Sequence, residues 1–344
     1  MGLARPRHAA SGNELDTKRA DTSGTHGVQA EPAHRLRATL HQWVKVRKPA
    51  AARVGENWVG ICLPLAEPEP QGSKPQGGRV ARIDGTPGND DLFGTQGDDV
   101  IHALAGNDRI VADLIFRDDL GGADTVYAGS GDDLVYAFAG GNRIYGEDGR
   151  DTLITADGDD FIDAGPGDDP DVQAGRGNDR VFGRAGNDTL RGSEGDDLVD
   201  GGDGNDRVIG GRGHDTLRAG AGADTLEGRE GKDTMTGGAG ADRFKVDAAA
   251  DRPAGSGRDV ILDMTGIDLI DLSAIDPSPN SGDQAFVWLG QSANAGPLPS
   301  GSVRALDLGS TVFVQANSDA DAAVDLELEL RNFSGTLARD DFVV

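Results

Sequence analysis

The chain has 344 residues, of which 53 are glycine, 36% apolar and 5% aromatic; that glycine share is roughly twice the ~7% average. A core so thin offsets little of the ~1 to 2 kcal/mol per residue lost on ordering a backbone. The net charge of -26 argues against nucleic acid as a partner, the single cysteine, Cys62, excludes an intrachain disulfide framework, and metal cations are left as the natural stabilising partner.

Residues 1–80 stand apart from the rest. They carry 12 Lys+Arg against 7 Asp+Glu, so the remainder of the chain holds a net -31, and they contain four of the six histidines. Their first 30 residues show no apolar h-region of ~7 to 15 residues, so no Sec-type signal peptide is read there. Arg37 to Arg47 (RATLHQWVKVR) predicts a short amphipathic helix through Leu40, Trp43 and Val44, with basic groups opposite. The stretch LPLAEPEPQGSKPQGG reads as a linker, and the segment as a whole as a poorly ordered basic leader. No run of ~18 apolar residues occurs anywhere, so no transmembrane span is expected.

Residues 81–245 are periodic. From Gly192 to Lys245 the sequence runs GSEGDDLVD GGDGNDRVI GGRGHDTLR AGAGADTLE GREGKDTMT GGAGADRFK, nine residues per unit without gaps. Following the sixth position both ways gives Asp90, Asp99, Asp108, Asp124, Asp133, Asn142, Asp151, Asp160, Asp169, Asp179, Asp188, Asp197, Asp206, Asp215, Asp224, Asp233 and Asp242, seventeen units. A glycine stands two residues before each, and an apolar residue two residues after nearly every one, from Leu92 and Ile101 to Met235 and Phe244. An acidic, glycine-rich disordered tract would not keep that apolar register.

Each recurring residue type has a physical role. Glycine permits positive φ, so six residues form a tight loop whose carbonyls face one space. The three that follow alternate as a very short strand with one side chain inward. Two units then make one coil of about 18 residues, and coils stack as two parallel sheets. Calcium takes ~6 to 8 oxygen ligands from carboxylates and carbonyls, a set that the loops of units i and i+2 supply.

Three departures are expected to interrupt this ladder. Asp108 and Asp124 are 16 apart, and the intervening VADLIFRDDL lacks the loop glycines, which loses a calcium position. Asn142 replaces an acid and weakens its site. An insertion at Pro170-Asp171 displaces Val172 and breaks the register between Asp169 and Asp179. The ladder is therefore read as three stretches, with at most about 11 calcium ions.

The consensus G-G-x-G-x-D-x-U-x, with U a large apolar residue, resembles the RTX family of hemolysin-type calcium-binding repeats. The resemblance covers roughly residues 85 to 245 and implies an all-β parallel β-roll, a right-handed β-solenoid of nonapeptide repeats. In that family the sixth-position acid and loop carbonyls bind calcium. Carried over, the role falls on Asp90, Asp99, Asp108, Asp124, Asp133, Asp151, Asp160, Asp169, Asp179, Asp188, Asp197, Asp206, Asp215, Asp224, Asp233 and Asp242.

Residues 246–344 carry strand patterns in GRDVILDMTGIDLIDLSAID, FVWLG, TVFVQ and VDLELEL, the last with Val324, Leu326, Leu328 and Leu330 alternating with acids. Their order resembles the C-terminal module of serralysin-type RTX proteins, here an antiparallel β cap on the open end of the roll. The tail Asp340-Asp341-Phe342-Val343-Val344 resembles the acid-plus-hydrophobic signal read by type I secretion exporters in that family. Asn317, Asp319, Asp321 and Asp325 form a weaker candidate calcium loop.

The chain shows no HExxH and no GxSxG elbow, and His102 and His214 fall at outward repeat positions. With at most 80 residues upstream of the repeats, no catalytic residue is assigned. The chain reads as a non-enzymatic, secreted calcium-binding protein with cell-surface or matrix contacts. The alternative is the non-catalytic C-terminal part of an RTX protease, lipase, epimerase or toxin.

Overall fold

A computed structural model of the chain describes residues 80–113, 121–246, 257–275, 286–294, 296–309, 311–317 and 324–343 in full, and two further strands, His41–Val46 and Val59–Pro64, by their backbone. The chain divides into two units, Met1–Ser73 and Lys74–Val344.

In the first unit the expected helix is replaced by a strand. His41–Val46 pairs antiparallel with Val59–Pro64, His41 opposite Pro64 and Val46 opposite Val59. Trp43, Val44 and Val46, facing a segment with Val59 and Ile61, lose χ1 freedom in a helix and suit a pleated surface. Three apolar residues at helical spacing are too short a pattern to outweigh that preference. The remainder of the 1–80 reading lies outside the described residues.

The second unit is built from an 11-stranded and a 14-stranded sheet. Successive repeats alternate between them: Leu198–Asp203 lies in one, while Thr189–Glu194 and Arg207–Gly213 pair with each other in the other. All pairs along the repeats are parallel, Val199 opposite both Val181 and Leu217. Two repeats thus complete one coil, as the period implies.

The strands are longer than the three residues expected. Thr189–Glu194 runs six residues and buries two positions, Leu190 and Gly192. The eighth position of each repeat carries the large apolar residue, and the first position of the next carries glycine or a small residue such as Ala103, Ala128, Ala164 or Ala219, each fully buried. The core is therefore a large row beside a small row, closed by a short turn at the fourth to sixth positions. Fully burying a Val, Leu or Ile contributes ~1.5 to 3 kcal/mol. Ile162→Val should cost about 0.5–1.5 kcal/mol, measured by denaturant unfolding in saturating calcium.

Neither the 16-residue spacing from Asp108 to Asp124 nor the insertion at Pro170-Asp171 breaks the ladder, which corrects the reading of three stretches. Ile101 pairs with Val126 and Ile110 with Val135, so both sheets continue across this spacing, whose residues 114–120 lie outside the described residues. Across Pro170 the pairs Leu153 with Val172 and Ile162 with Val181 also hold, and Val172 is fully buried. The extra residue at Pro170 enters at a coil corner, between Phe161–Pro166 and Asp171–Arg176, where backbone can bulge outward without displacing an inward side chain.

Beyond the repeats, Val260–Ile261 and Leu269–Asp271 add one more parallel coil. Ser302–Asp307, Thr311–Asn317 and Leu326–Arg331 form an antiparallel meander, with Val287–Ser292 parallel at its outer side. Leu326–Arg331 extends the larger sheet beside Val260–Ile261, and Phe342–Val343 extends the smaller one beside Leu269–Asp271. Both growing edges are covered. One apolar cluster runs from Ile101 to Phe342, with Trp288 4.8 Å from Phe342 between ring centroids. Asp319 and Asp321 of the weaker calcium loop lie outside the described residues. Among the described residues no helix is long and apolar enough to cross a membrane.

Candidate metal centre

The sixth-position carboxylates are placed by the glycine two residues before them. Gly195 takes φ 139°, and a Cβ on it would fall inside the carbonyl of Gly177 in the adjacent coil. Backbone packs on backbone along the whole column of turns. The second position is also left-handed in many units, and non-glycine residues occupy it at Leu104, Glu147, Arg184, Ser193 and Arg229. Leu104, at φ 83° and half exposed, carries strain with little burial in return. Leu104→Gly should stabilise the roll by about 0.5–2 kcal/mol, the relief of a strained φ less the entropy of glycine, read as a raised unfolding midpoint.

The aspartates form two ladders, one at each edge where the sheets meet. In the first, the backbone N–H of Asp90 donates to Asp108 Oδ1, Asp108 to Asp133, Asp133 to Asp151, Asp151 to Asp169 and Asp169 to Asp188, at 2.7–2.8 Å. It continues through Asp206, Asp224 and Asp242. In the second, Asp99 donates to Asp124, Asp124 to Asn142 Oδ1 and Asn142 to Asp160. Asp179, Asp197, Asp215 and Asp233 follow. Asn142 thus keeps its structural place while lacking the charge.

An opposed ladder runs at the fifth position. There the side chain accepts from the next coil: Asn178 Oδ1 from Asp196 N–H, Asp196 from His214, and His214 Nδ1 from Lys232. His214 is therefore bonded rather than merely solvated, and His102 stacks on Tyr127 at 4.8 Å, which stacks on Tyr145 at 4.9 Å.

With Oδ1 committed, the second oxygen decides the chemistry. Oδ2 is buried without a hydrogen-bond partner at Asp108, Asp124, Asp133, Asp151, Asp160, Asp169, Asp179, Asp188, Asp197, Asp206, Asp215, Asp224 and Asp242. At Asp90 and Asp99 it instead accepts from Thr86 and Thr95. A Cβ on Gly146 would lie 2.5 Å from Asp151 Oδ2, so first-position glycine leaves the space into which that oxygen points. Burial raises these carboxyls, partly opposed by the backbone N–H bond and reinforced by neighbouring aspartates: Asp151, Asp179 and Asp215 to about 8, Asp124 to about 7.

A row of buried, unbonded carboxylate oxygens is costly unless a cation meets it. Among the described residues no three His, Cys, Asp or Glu side chains converge on one point. Any ion here takes one or two carboxylates and completes its shell with backbone carbonyls, the donor set of a hard oxygen-seeking cation such as calcium. Residues 84–114, 119–138, 136–169, 173–208 and 209–244 match the model of the RTX calcium-binding nonapeptide repeat. The roll belongs to the RTX repeat family. The repeats of that family bind calcium.

Among solved structures, the chain is similar to the AlgE6R3 subunit of the mannuronan C5-epimerase from Azotobacter vinelandii, at 26% identity over 48% of this chain and 80% of that one, with a TM-score of 0.24. No curated protein matches the chain.

The RTX ladders extend further than the sequence reading placed them. Asp259 Oδ1 accepts from Asp233 N–H and Asp268 Oδ1 from Asp242 N–H, each at 2.9 Å, both 26 residues on. Their signal was legible: Gly257-Arg258-Asp259-Val260-Ile261 and Gly266-Ile267-Asp268-Leu269-Ile270 repeat the glycine, acid and apolar spacing, nine residues apart. Two further aspartates, Asp113 and Asp263, mark where the chain leaves the repeat. Asp113 Oδ2 accepts from Phe138 and Ala139, and the carboxylate of Asp263 from Gly237 and Gly238.

Proposed function

We propose that this chain is a secreted calcium-binding protein whose RTX roll folds when calcium binds outside the cell, and that it serves as a non-catalytic surface or matrix component. The observation that carries this reading is the row of buried Oδ2 atoms without hydrogen bonds on inner sixth-position aspartates such as Asp151, Asp179, Asp197 and Asp215. Ions bound along the ladders supply the positive charge those oxygens lack, with on the order of ten ions per chain.

At cytosolic calcium, far below the ~10⁻⁴ to 10⁻³ M dissociation constants of extracellular modules, charge repulsion keeps the repeats extended, a state suited to passage through a type I exporter. Outside, one site at tenfold saturation contributes ~1.4 kcal/mol by linkage, so about ten contribute ~14 kcal/mol, comparable with the stability of a whole domain. Stacking of neighbouring coils makes the transition cooperative. The tail that resembles an export signal is docked here, Phe342 buried against the cap, so it is readable by an exporter only before folding.

A calcium titration followed by far-ultraviolet circular dichroism tests the reading. A sigmoidal gain of β signal is expected, and a full β signal in chelator that calcium leaves unchanged defeats it. Assays with casein, short esters and alginate should show no turnover; turnover on any of them favours an enzymatic role instead.

A further inference from the structure

We infer that threonine caps take the place of a cation at both ends of the roll, so that Asp90, Asp99 and Asp268 belong to the hydrogen-bond ladders but not to the calcium sites. The inference rests on the calcium reading of the inner aspartates. At Asp90, Oδ2 accepts from the Thr86 N–H at 2.6 Å and the Thr86 hydroxyl at 2.9 Å. At Asp99, the Thr95 N–H donates to Oδ2, while Oδ1 accepts from the Thr95 hydroxyl at 3.1 Å and the Ala81 N–H at 2.8 Å. At Asp268, Oδ2 accepts from the Thr265 N–H at 2.7 Å and its hydroxyl at 2.9 Å, and Oδ1 from Asp242 N–H.

These are the oxygens that stand buried and unbonded in the inner coils. A neighbouring N–H and O–H on one carboxylate give it two partial positive charges at hydrogen-bond distance, and charge-assisted bonds of this kind are the strong ones. A cation arriving there has to break them. The sequence marks the same three places: threonine occupies the second repeat position only in the first two units, at Thr86 and Thr95. At the far end Thr265 stands three residues before its aspartate rather than four, yet reaches the same contacts.

The placement has a physical reason. An inner loop is flanked by coils on both sides, which together complete a calcium shell. At the ends the outer neighbour is not a full repeat: Asp99 meets the Ala81 N–H where a repeat would carry an aspartate, and beside Leu269–Asp271 stands only the two-residue strand Phe342–Val343, so an ion there lacks part of its ligands. A donor carried by the loop itself closes the end without that missing repeat, as solenoids require of their terminal repeats.

The test uses the full chain and two measurements, calcium bound per chain after equilibrium dialysis and amide hydrogen exchange of the calcium-loaded protein. Asp197→Asn should lose at least one ion, whereas Asp99→Asn and Asp268→Asn should lose none. Thr95→Val and Thr265→Val should keep the ion count but exchange about tenfold faster in their own end coil, a loss on the scale of one or two hydrogen bonds. Thr95→Ser, which keeps the hydroxyl, should exchange as the unsubstituted chain does. An ion lost with Asp99→Asn or Asp268→Asn, or unchanged exchange with both valine variants, overturns the caps. If Asp197→Asn also keeps every ion, it is the calcium reading of the inner ladder that fails, while the exchange data still report on the threonines.

Discussion

In excess chelator at pH 8 the roll should lose its β structure, and acidifying the same solution to pH 5 should restore much of it without calcium. The folded-state carboxyls are raised by burial from an ordinary value near 4 to about 8 at Asp151, Asp179 and Asp215, to about 7 at Asp133 and Asp169, and to about 6 at Asp160, Asp188 and Asp206. A group whose pKa is higher folded than unfolded binds its proton more tightly in the fold. Its contribution is fully present below about pH 4 and is lost as the pH climbs through about 6 to 8. Protons at pH 5 thus neutralise the buried oxygens that calcium neutralises at pH 8. With calcium present the sense reverses: binding releases protons, so the calcium midpoint should fall as pH rises from 6 to 8. Circular dichroism in chelator at the two pH values checks the first half, and the same signal at both would falsify it.

Gly195→Ala should destabilise the calcium-loaded roll by at least ~3 kcal/mol. The position takes φ 139°, a conformation nearly closed to residues with a Cβ, and the new methyl would enter the Gly177 carbonyl of the adjacent coil. Strain of ~1 to 3 kcal/mol for the backbone adds to an overpacking cost of similar size. Gly228→Ala is a sharper comparison than any surface change, because its φ is not positive and its added methyl meets Asp233 Oδ2 instead of backbone. It should raise the calcium midpoint more than it lowers stability at saturation. Thermal unfolding at low and saturating calcium separates the two, and equal behaviour of the two variants counts against this account.

The coil architecture was legible because period nine ties three residue types to three physical tasks, as Gly195, Asp197 and Val199 do. The first-position inward row was not, since glycine and alanine bury without announcing themselves as core. Asp259 and Asp268 stand beyond the off-period stretch after Lys245, so a register counted on from Asp242 misses them although their own spacing is legible. The supposed breaks near Val111 and at Pro170 were misjudged for one reason: linear spacing counts every residue, while a solenoid counts only those that return to the sheet. The strand His41–Val46 was lost to a helical reading built on three apolar positions.

Because one repeat feeds one sheet and the next feeds the other, the chain's natural unit of length is two repeats, not one. The two outer faces differ: one carries the stacked His102, Tyr127 and Tyr145, the other Glu227 held by Arg207, Arg229 and Lys245. The cap too finds a different mate on each sheet, Leu326–Arg331 on one and Phe342–Val343 on the other. Excising Leu198 to Asp215 shortens the roll and returns every downstream strand to its own sheet. Excising only Leu198 to Asp206 sends each of them to the opposite sheet and offers the cap the wrong partners. Lengthening and shortening of such a chain is therefore confined to even numbers of repeats.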